Sequence, residues 1–331
     1  MAASQTAPAA EVVQSGAFGP GSESGEREDL SDQINRIDPD NVPVYANARK
    51  GVSKAILHDW LVQELKAPPD LADRAQPEGF EATVTAHVAP VRHSNATQVF
   101  ADTKAVSDTI DNVDKAGRDS ELTYQKLLTG LELRIQVDAT MTDAQISSGL
   151  DTTRTMATIQ AWMTNGNVAS DGTMPSGDGS DIPVVGTPEA LALANIEGGM
   201  QDAYEDGGSP RILYMSPKQK AAFSDLQVGT WDAVIPNEYT MSSVKEGVYI
   251  GAVSTFLTDF GRIECVIDRH MPTNVVLGID PNYMKMCAVP GLDFHAVDLA
   301  KTGANKKFYV SYEGTLEMGA PKAHFMVGSL S

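Results

Sequence analysis

The stretch GRDSELTYQKLLTGLELRIQVDATMTDAQ, residues 117–145, has the period of one long helix. Asp119 or Ser120 can cap its start, and Glu121 then lies near the positive end of the helix dipole. A helix from Ser120 to Ser147 would be roughly 42 Å long at 1.5 Å per residue, more than one compact domain needs internally. The stretch therefore predicts a rod-like helix that extends beyond the core of a single compact domain.

Placed at 100° per residue, the side chains of this helix separate into a polar stripe and an apolar side. The polar stripe carries Glu121, Gln125, Glu132, Gln136 and Asp143. The apolar side carries Tyr124, Leu127, Leu128, Leu131 and Ile135. The helix is thus amphipathic, and its apolar side has to be covered by another element.

Two charged residues, Arg134 and Asp138, fall within this apolar side, and their spacing of four allows an ion pair. Two interpretations are open. In one, the pair lies at the edge of the face and contributes about a few tenths of a kcal/mol. In the other, the apolar side is shared between the helix's own sheet and another element, and the paired charge fixes their register at some cost in stability.

The composition excludes several classes of protein. A length of 331 residues allows two or three structural units, and a net charge of -19 argues against a basic face that binds nucleic acid. Cys265 and Cys287 are too few for a disulfide scaffold and predict buried structural thiols in a reducing compartment. The chain has no apolar run of the ~20 residues that span a membrane, and its beginning lacks the features of a signal peptide.

The residues before the helix predict an arm and a connector. Residues 1–29 are rich in Ala, Ser, Gly, Pro and Glu, which predicts a mobile arm. In the connector that follows, Asp29 or Ser31 can cap a short helix, and Pro39 and Pro43 would break it.

A long hairpin is predicted next. The segment KAILHDWLVQEL, residues 54–65, suits a short helix or an extended run, and we favour the extended run because Trp60 has aliphatic and β-branched neighbours. After a tip with Pro and Gly, alternation at Ala82, Val84, Ala86 and Val88 predicts a second extended arm. The faces of this hairpin are mostly polar, and a hairpin this long is only marginally stable alone, so it should lie on something else.

After the long helix, the pattern predicts a second helix, Asp151–Met163, capped by Asp151. From Gly186 onward it alternates: a helix capped by Thr187 with Pro188 in its first turn, the strand RILYM, and a helix that begins at Ser216 and Pro217. Strands are then predicted in GVYIGAVSTFLTDF, GRIECVIDRHMP, NVVLGID, YMKMCAVP, LDFHAVDLA, KKFYVSYEGTLEMG and KAHFMVG.

No catalytic signature is found. The six histidines show no HxxxH or HxH spacing, and the acidic loop SDGTMPSGDGSD lacks the ligand spacing of a calcium loop. The sequence contains no GxxxxGK[ST], no GxGxxG after a strand and no GxSxG elbow. The pairs His58-Asp59 and Asp268-His270 lack a nucleophile. The sequence therefore predicts no catalytic, cofactor or metal site and no enzyme.

The order of arm, hairpin, long helix, α/β unit and terminal strands resembles the major capsid protein of tailed phages, which has the Hong Kong 97-like α+β fold. Five segments resemble a subgroup of podophage capsid proteins in particular. They are DLSDQINRIDPDNVPVYA, LHDW, KAGRDSELTYQKLLTGLELRIQVDATM, LTDFGRIECVIDRHMP and LAKTGANKKFYVSYEGTLEMGAPKAH. The resemblance covers the chain from about Asp29 to Ser331.

The resemblance implies a domain division: an N-terminal arm at 1–53, an extended E-loop at 54–106, a P-domain with the spine helix at 107–185, an A-domain at 186–283, and P-domain strands at 284–331. It also implies that a neighbour's E-loop lies along the spine helix. The residues expected to make assembly contacts are Trp60, Arg74, Glu78, Glu81, Arg92, Glu121, Glu132, Arg134 and Asp138.

The function implied is that of a head protein whose hexamers and pentamers close an icosahedral shell around double-stranded DNA, without sequence-specific binding. The expected partners are further copies of the chain, a separate scaffolding protein, a portal and a cement or decoration protein. The location is the virion capsid, assembled in the host cytoplasm. Two alternatives stay open: an encapsulin-type nanocompartment shell, and a soluble α/β hydrolase or binding protein that uses residues 186–280.

Overall fold

The computed structural model of the chain describes residues 41–81, 84, 86–114, 117–149, 152–231 and 254–331. The helices are α1 (Pro43–Asn47), α2 (Leu71–Arg74), α3 (Asp108–Asn112), α4 (Glu121–Thr142), α5 (Ile159–Trp162), α6 (Leu193–Glu205) and α7 (Pro217–Trp231). The strands are β1 (Arg49–Val52), β2 (Leu57–Val62), β3 (Val91–Ala96), β4 (Gln98–Ser107), β5 (Asn165–Asn167), β6 (Ile212–Met215), β7 (Thr255–Thr258), β8 (Gly261–Ile267), β9 (Val276–Ile279), β10 (Met284–Ala288), β11 (His295–Leu299), β12 (Asn305–Met318) and β13 (Phe325–Val327).

The long helix α4 is present, and its predicted cap is confirmed because the Ser120 hydroxyl accepts a hydrogen bond from the Thr123 N–H at 3.3 Å. The helix ends at Thr142 instead of Ser147, so its 22 residues span about 33 Å. The helix ends early because the backbone N–H groups after Thr142 form hydrogen bonds with other segments. The N–H of Gln145 donates to the Thr158 hydroxyl, and the N–H of Ser147 donates to the Gly179 carbonyl.

The side of α4 that the chain itself buries is not the predicted one. Leu133, Val137 and Met141 are fully buried. The predicted apolar side is only half-buried, and Leu127 is 57% exposed. The prediction was wrong because the helix has more apolar surface than its own sheet covers, and the periodicity does not say which part that sheet meets.

The first sheet has the order β1-β10-β12-β11, with β4 also paired to β12. The long strand β12 organises it, since β4 pairs along residues 305–314, β11 along 307–311 and β10 along 314–318. Helix α4 packs against β12 and β4. Between them lies a core that includes Leu133, Val137, Met141, Phe308, Val310, Tyr312 and Leu316.

The second sheet has the order β5-β13-β9-β6-β8-β7. It needs close approach at Gly278, where a Cβ atom would lie 2.0 Å from the ring of Phe325 on the neighbouring strand. The sheet combines β6 to β9 with β5 and with β13 at the end of the chain. The division expected at residues 186 and 284 therefore does not coincide with the division between sheets.

Several local expectations were wrong. Residues 152–158 are not helical, and only α5 forms, because the backbone of Thr155 pairs with Ser148 as an antiparallel bridge. Thr187 does not cap α6, because its hydroxyl and N–H both donate to Asp171, and the helix begins at Leu193. Pro43 lies in the first turn of α1 instead of breaking a helix.

The second hairpin arm is shorter than predicted. Val84, Ala86 and Val88 are not in a strand, because β2 ends at Val62 and, of the described strands, pairs with β3 alone. Residues 1–40, which include the predicted mobile arm and the caps Asp29 and Ser31, lie outside the described residues. So do Ala82, the cap Asp151 and the first seven residues, 247–253, of the strand predicted in GVYIGAVSTFLTDF. The remaining predicted strands, from RILYM to KAHFMVG, are confirmed as β6 to β13. In the described ranges, no helix combines the length and the apolar character needed to cross a membrane.

Candidate assembly interface

The base of the hairpin is fixed to the body of the subunit by an aromatic cluster. Trp60, on β2, packs its ring 5.1 Å from that of Trp162 and 6.1 Å from that of His93 across the strand pair. Its indole N–H donates to the carbonyl of Met318, on β12, at 3.0 Å. Trp60 was expected to contact another subunit, and the structure shows that its ring and its donor are used inside this one.

Asn95, on β3, is the second anchor of the hairpin base and is completely buried. Its amide group donates to the carbonyls of Ala157 and Leu316 at 3.0 and 2.8 Å, and its oxygen accepts from the Ala157 N–H at 2.8 Å. The side chain therefore joins the hairpin, the segment before α5 and the first sheet. Asn95 could not be recognised from the sequence, because its partners lie up to 221 positions away.

The change Asn95→Ala is expected to lower the free energy of unfolding by about 3 kcal/mol, since it leaves buried backbone groups without partners. Thermal or denaturant unfolding of the chain measures the effect. The control Asn112→Ala removes an exposed amide with one local hydrogen bond and should change stability by less than about 0.5 kcal/mol. Equal effects of the two changes would contradict the anchoring role.

Beyond its base, the described part of the hairpin is almost entirely exposed. In the hairpin tip, defined as residues 63–90, Leu65 is 96% exposed, Leu71 is 80% exposed and Phe80 is 55% exposed. The predicted contact residues Arg74, Glu78 and Glu81 are also exposed there. Exposed large apolar groups on an extended loop are candidates for contact with another chain.

Two ion pairs flank the strands of the hairpin. Arg92 on β3 pairs with Asp59 on β2, and both are solvent-accessible. Lys322, near the end of the chain, lies 2.8 Å from Glu64 at the beginning of the tip. Exposed pairs of this kind are worth ~0–1 kcal/mol each, so they orient the hairpin more than they stabilise it.

The exposed side of α4 is the second candidate surface. It combines the half-buried Tyr124, Leu128, Leu131 and Ile135 with the exposed Leu127. Charged pairs border it: Glu132 with Lys104, and Lys126 with Asp298 at 2.6 Å. Glu121, expected on the polar stripe, is instead buried and pairs with Arg118.

The structure corrects the predicted ion pair between Arg134 and Asp138. Arg134 is exposed and places its guanidinium 5.2 Å from the ring centre of Phe294, whereas Asp138 is completely buried. Oδ1 of Asp138 accepts the N–H of Tyr45, on α1, at 2.7 Å. The two residues do not form an ion pair, because each already has a different partner in the folded chain.

Asp138 faces a second buried acid, Asp268, which follows β8. The two carboxyl groups are within hydrogen-bonding reach of each other, and neither Oδ2 atom accepts a hydrogen bond from any other described group. Burial and the charge of Asp268 raise the pKa of Asp138 from 3.8 to about 7, although the Tyr45 N–H acts in the opposite direction. The protonated form of Asp138 is therefore favoured up to near neutral pH, and the two acids lie where α1, α4 and the second sheet meet.

The profile of the SU10 major capsid protein family matches residues 13–331. A search of curated protein sequences gives no match.

Solved shell structures share the fold at low sequence identity. The chain is similar to the capsid of Cyanophage A-1(L), with 11% identity, a TM-score of 0.64, and coverage of 92% of this chain and 97% of the other. It is similar to a Phage G structure of gp27 major capsid proteins and gp26 decoration proteins, with 10% identity, a TM-score of 0.56 and coverage of 94% and 100%. It also resembles the SrpI encapsulin of Synechococcus elongatus PCC 7942, with 10% identity, a TM-score of 0.53 and coverage of 92% and 92%.

The family profile covers nearly the whole chain, and the α+β architecture is that of phage capsid subunits, which confirms the Hong Kong 97-like fold. The chain belongs to the SU10 major capsid protein family.

Proposed function

We propose that this major capsid protein forms hexamers and pentamers that close an icosahedral shell around double-stranded DNA. The observation that carries the proposal is the exposed tip of the hairpin, since none of the described residues of the subunit covers Leu65 or Leu71. The exposed side of α4 supplies a complementary surface of similar character. A closed shell repeats such contacts many times, so that each one can be modest.

The proposed contact places the hairpin tip of one subunit along α4 of a neighbour. Leu127 and Leu131 on α4 would meet the apolar groups of the tip, and Glu132 and Arg134 at the border would set its register. Arg74, Glu78 and Glu81 on the tip supply charges of both signs for such pairs. Trp60 and Asp138 are left out of this proposal, because the structure gives both of them partners within the subunit.

The net charge of -19 supports a container for DNA more than a DNA-binding protein. A wall that bound phosphate strongly would hinder the movement of DNA during packaging, whereas repulsion keeps the genome mobile. The proposed function is therefore enclosure without sequence-specific binding. The proposed location is the virion, with assembly in the host cytoplasm.

The proposed partners are a scaffolding protein and a portal, with a decoration protein on the outer surface. The Phage G structure contains decoration proteins beside its major capsid protein, which supports the last of these by analogy. Mass spectrometry of purified particles tests all three. If one of these proteins is absent from both immature and mature particles, the proposal of that partner is wrong.

Electron cryomicroscopy of purified particles tests the central proposal. We expect closed shells with five-fold and six-fold clusters of the subunit, and nuclease-resistant double-stranded DNA inside particles from infected cells. The alternative is an encapsulin-type shell, because the chain is also similar to the SrpI encapsulin. This alternative predicts shells that are filled with an enzyme and free of DNA. A chain that stays monomeric at high concentration would contradict both.

The sheet topology argues against the alternative of a soluble α/β hydrolase or binding protein. It required residues 186–280 to form a unit of their own, but the sheet of that unit also contains β5 and β13. Strand β13 lies between β5 and β9. The family is one of structural proteins, and we propose that this chain has no enzymatic activity.

A further inference from the structure

Three potential metal ligands from three different strands meet beside the hairpin base. They are His58 on β2, Cys287 on β10 and Glu317 on β12, and their ligand atoms all lie within 4.8 Å of one another. The Cys287 side chain is buried, and those of His58 and Glu317 are 17% and 13% exposed. The sequence predicts no metal site, because no single element carries two of these residues.

We infer that this cluster is a zinc site that clips the base of the hairpin to the first sheet. Glu317 Oε2 lies 3.2 Å from His58 Nε2 and 3.5 Å from Cys287 Sγ. Tetrahedral zinc with bonds of about 2.0 Å to oxygen, 2.05 Å to nitrogen and 2.3 Å to sulfur has edges of about 3.3 Å from N to O and 3.5 Å from S to O. Two of the three spacings in this ligand triangle are therefore those that the ion requires, and the third, from His58 Nε2 to Cys287 Sγ, is within 4.8 Å.

The surroundings orient these ligands. Glu317 pairs across the sheet with Lys285, whose ammonium donates to Oε1 at 2.8 Å and leaves Oε2 directed at the other two ligands. The ring of His58 lies against that of Trp60, with 5.9 Å between centres. Groups that contact the ligands of a metal ion, and not the ion itself, hold those ligands in place and tune the affinity of the site.

The strand on the other side of Cys287 leaves room for its sulfur. Gly51 on β1 is the register partner of Cys287, and a Cβ atom there would lie 2.4 Å from Sγ. A side chain at residue 51 would therefore displace the thiol. Soft thiolate with imidazole and one carboxylate is a donor set that suits zinc better than magnesium or calcium.

Zinc binding releases the thiol proton to solvent, forms one bond to each of the three ligand atoms, and leaves a fourth position for water. No oxidation or reduction is involved. The ion would join β2 to β10 and β12, and so fix the direction in which the hairpin leaves the subunit. This inference is independent of what the shell encloses.

The test uses the full-length chain, purified under reducing conditions, incubated with zinc and freed of excess metal. We expect about one zinc ion per chain by elemental analysis, and loss of about nine-tenths of it in Cys287→Ser and Glu317→Gln. Cys265→Ser and His295→Asn change a second cysteine and an exposed histidine outside the cluster, and should keep the metal. Circular dichroism checks that each variant is folded.

Cobalt(II) provides a readout that needs no variant. In the wild-type chain it should give the absorption of a tetrahedral ion together with a thiolate charge-transfer band, and zinc should displace it. Absence of bound zinc and of this spectrum in the wild-type chain would overturn the inference. So would equal loss of zinc in Cys265→Ser and Cys287→Ser.

Discussion

Replacing residues 63–90 by Asn-Gly is expected to give a chain that folds normally but no longer closes shells. Val62 and Val91 are register partners at the end of the β2–β3 pair, so a two-residue turn can connect them. The removed segment contributes no described buried side chain, and Asn95 and Trp60 stay in place. The yield of shells should fall by about tenfold or more, because every subunit loses the same contact.

Electron microscopy and sedimentation measure the loss of shells, and circular dichroism with thermal unfolding measures the fold. A second variant keeps the length of the tip and changes Leu65, Leu71 and Phe80 to Ser. If the apolar groups are the contact, this variant should assemble as poorly as the shortened one. Normal shells from the shortened chain would refute the proposed role of the tip, and an unfolded chain would show that the tip belongs to the subunit core.

A longer deletion, of residues 71–98, would not test the same contact. It would remove Asn95 and Ala96, which are completely buried, so its failure would be a failure to fold. The E-loop expected at 54–106 is in fact two parts: a hairpin that projects, and strand β4, which belongs to the first sheet. Both parts alternate in sequence, and only the pairing with β12 distinguishes them.

The parts of the fold that the sequence predicted are those that depend on neighbours along the chain. Strand β12 alternates Phe308, Val310 and Tyr312 toward the core, and α4 begins at a serine cap. The parts that it missed depend on distant partners, such as the Tyr45 N–H, 93 positions from Asp138. Spacing on one helix suggested Arg134 as the partner of Asp138, because that pattern contains no information about α1.

The buried acid pair makes stability depend on pH in a definite direction. Because the pKa of Asp138 is raised from 3.8 to about 7 in the folded chain, the folded state holds its proton more tightly than the unfolded state does. The contribution of this group is therefore fully present below pH 4 and is lost as the pH rises to about 7. The total loss is on the order of 4 kcal/mol.

The change Asp138→Asn should remove this dependence. An amide keeps an acceptor for the Tyr45 N–H and adds a donor toward Asp268, as the protonated acid does. The variant should match the wild type in stability near pH 4 and exceed it by several kcal/mol, about 4 at most, above pH 7. Thermal unfolding of both chains over this range measures the difference.

Two controls separate charge from packing. Asp202→Asn changes an exposed carboxylate on α6 and should leave the pH profile unchanged. Asp138→Ala leaves the Tyr45 N–H without its acceptor and should cost about 1–3 kcal/mol at every pH. If Asp138→Asn gains no stability relative to the wild type as the pH rises, Asp138 does not hold its proton more tightly in the folded chain than in the unfolded chain. The junction of α1, α4 and the second sheet would then hold through packing alone, and the subunit would not loosen there at alkaline pH.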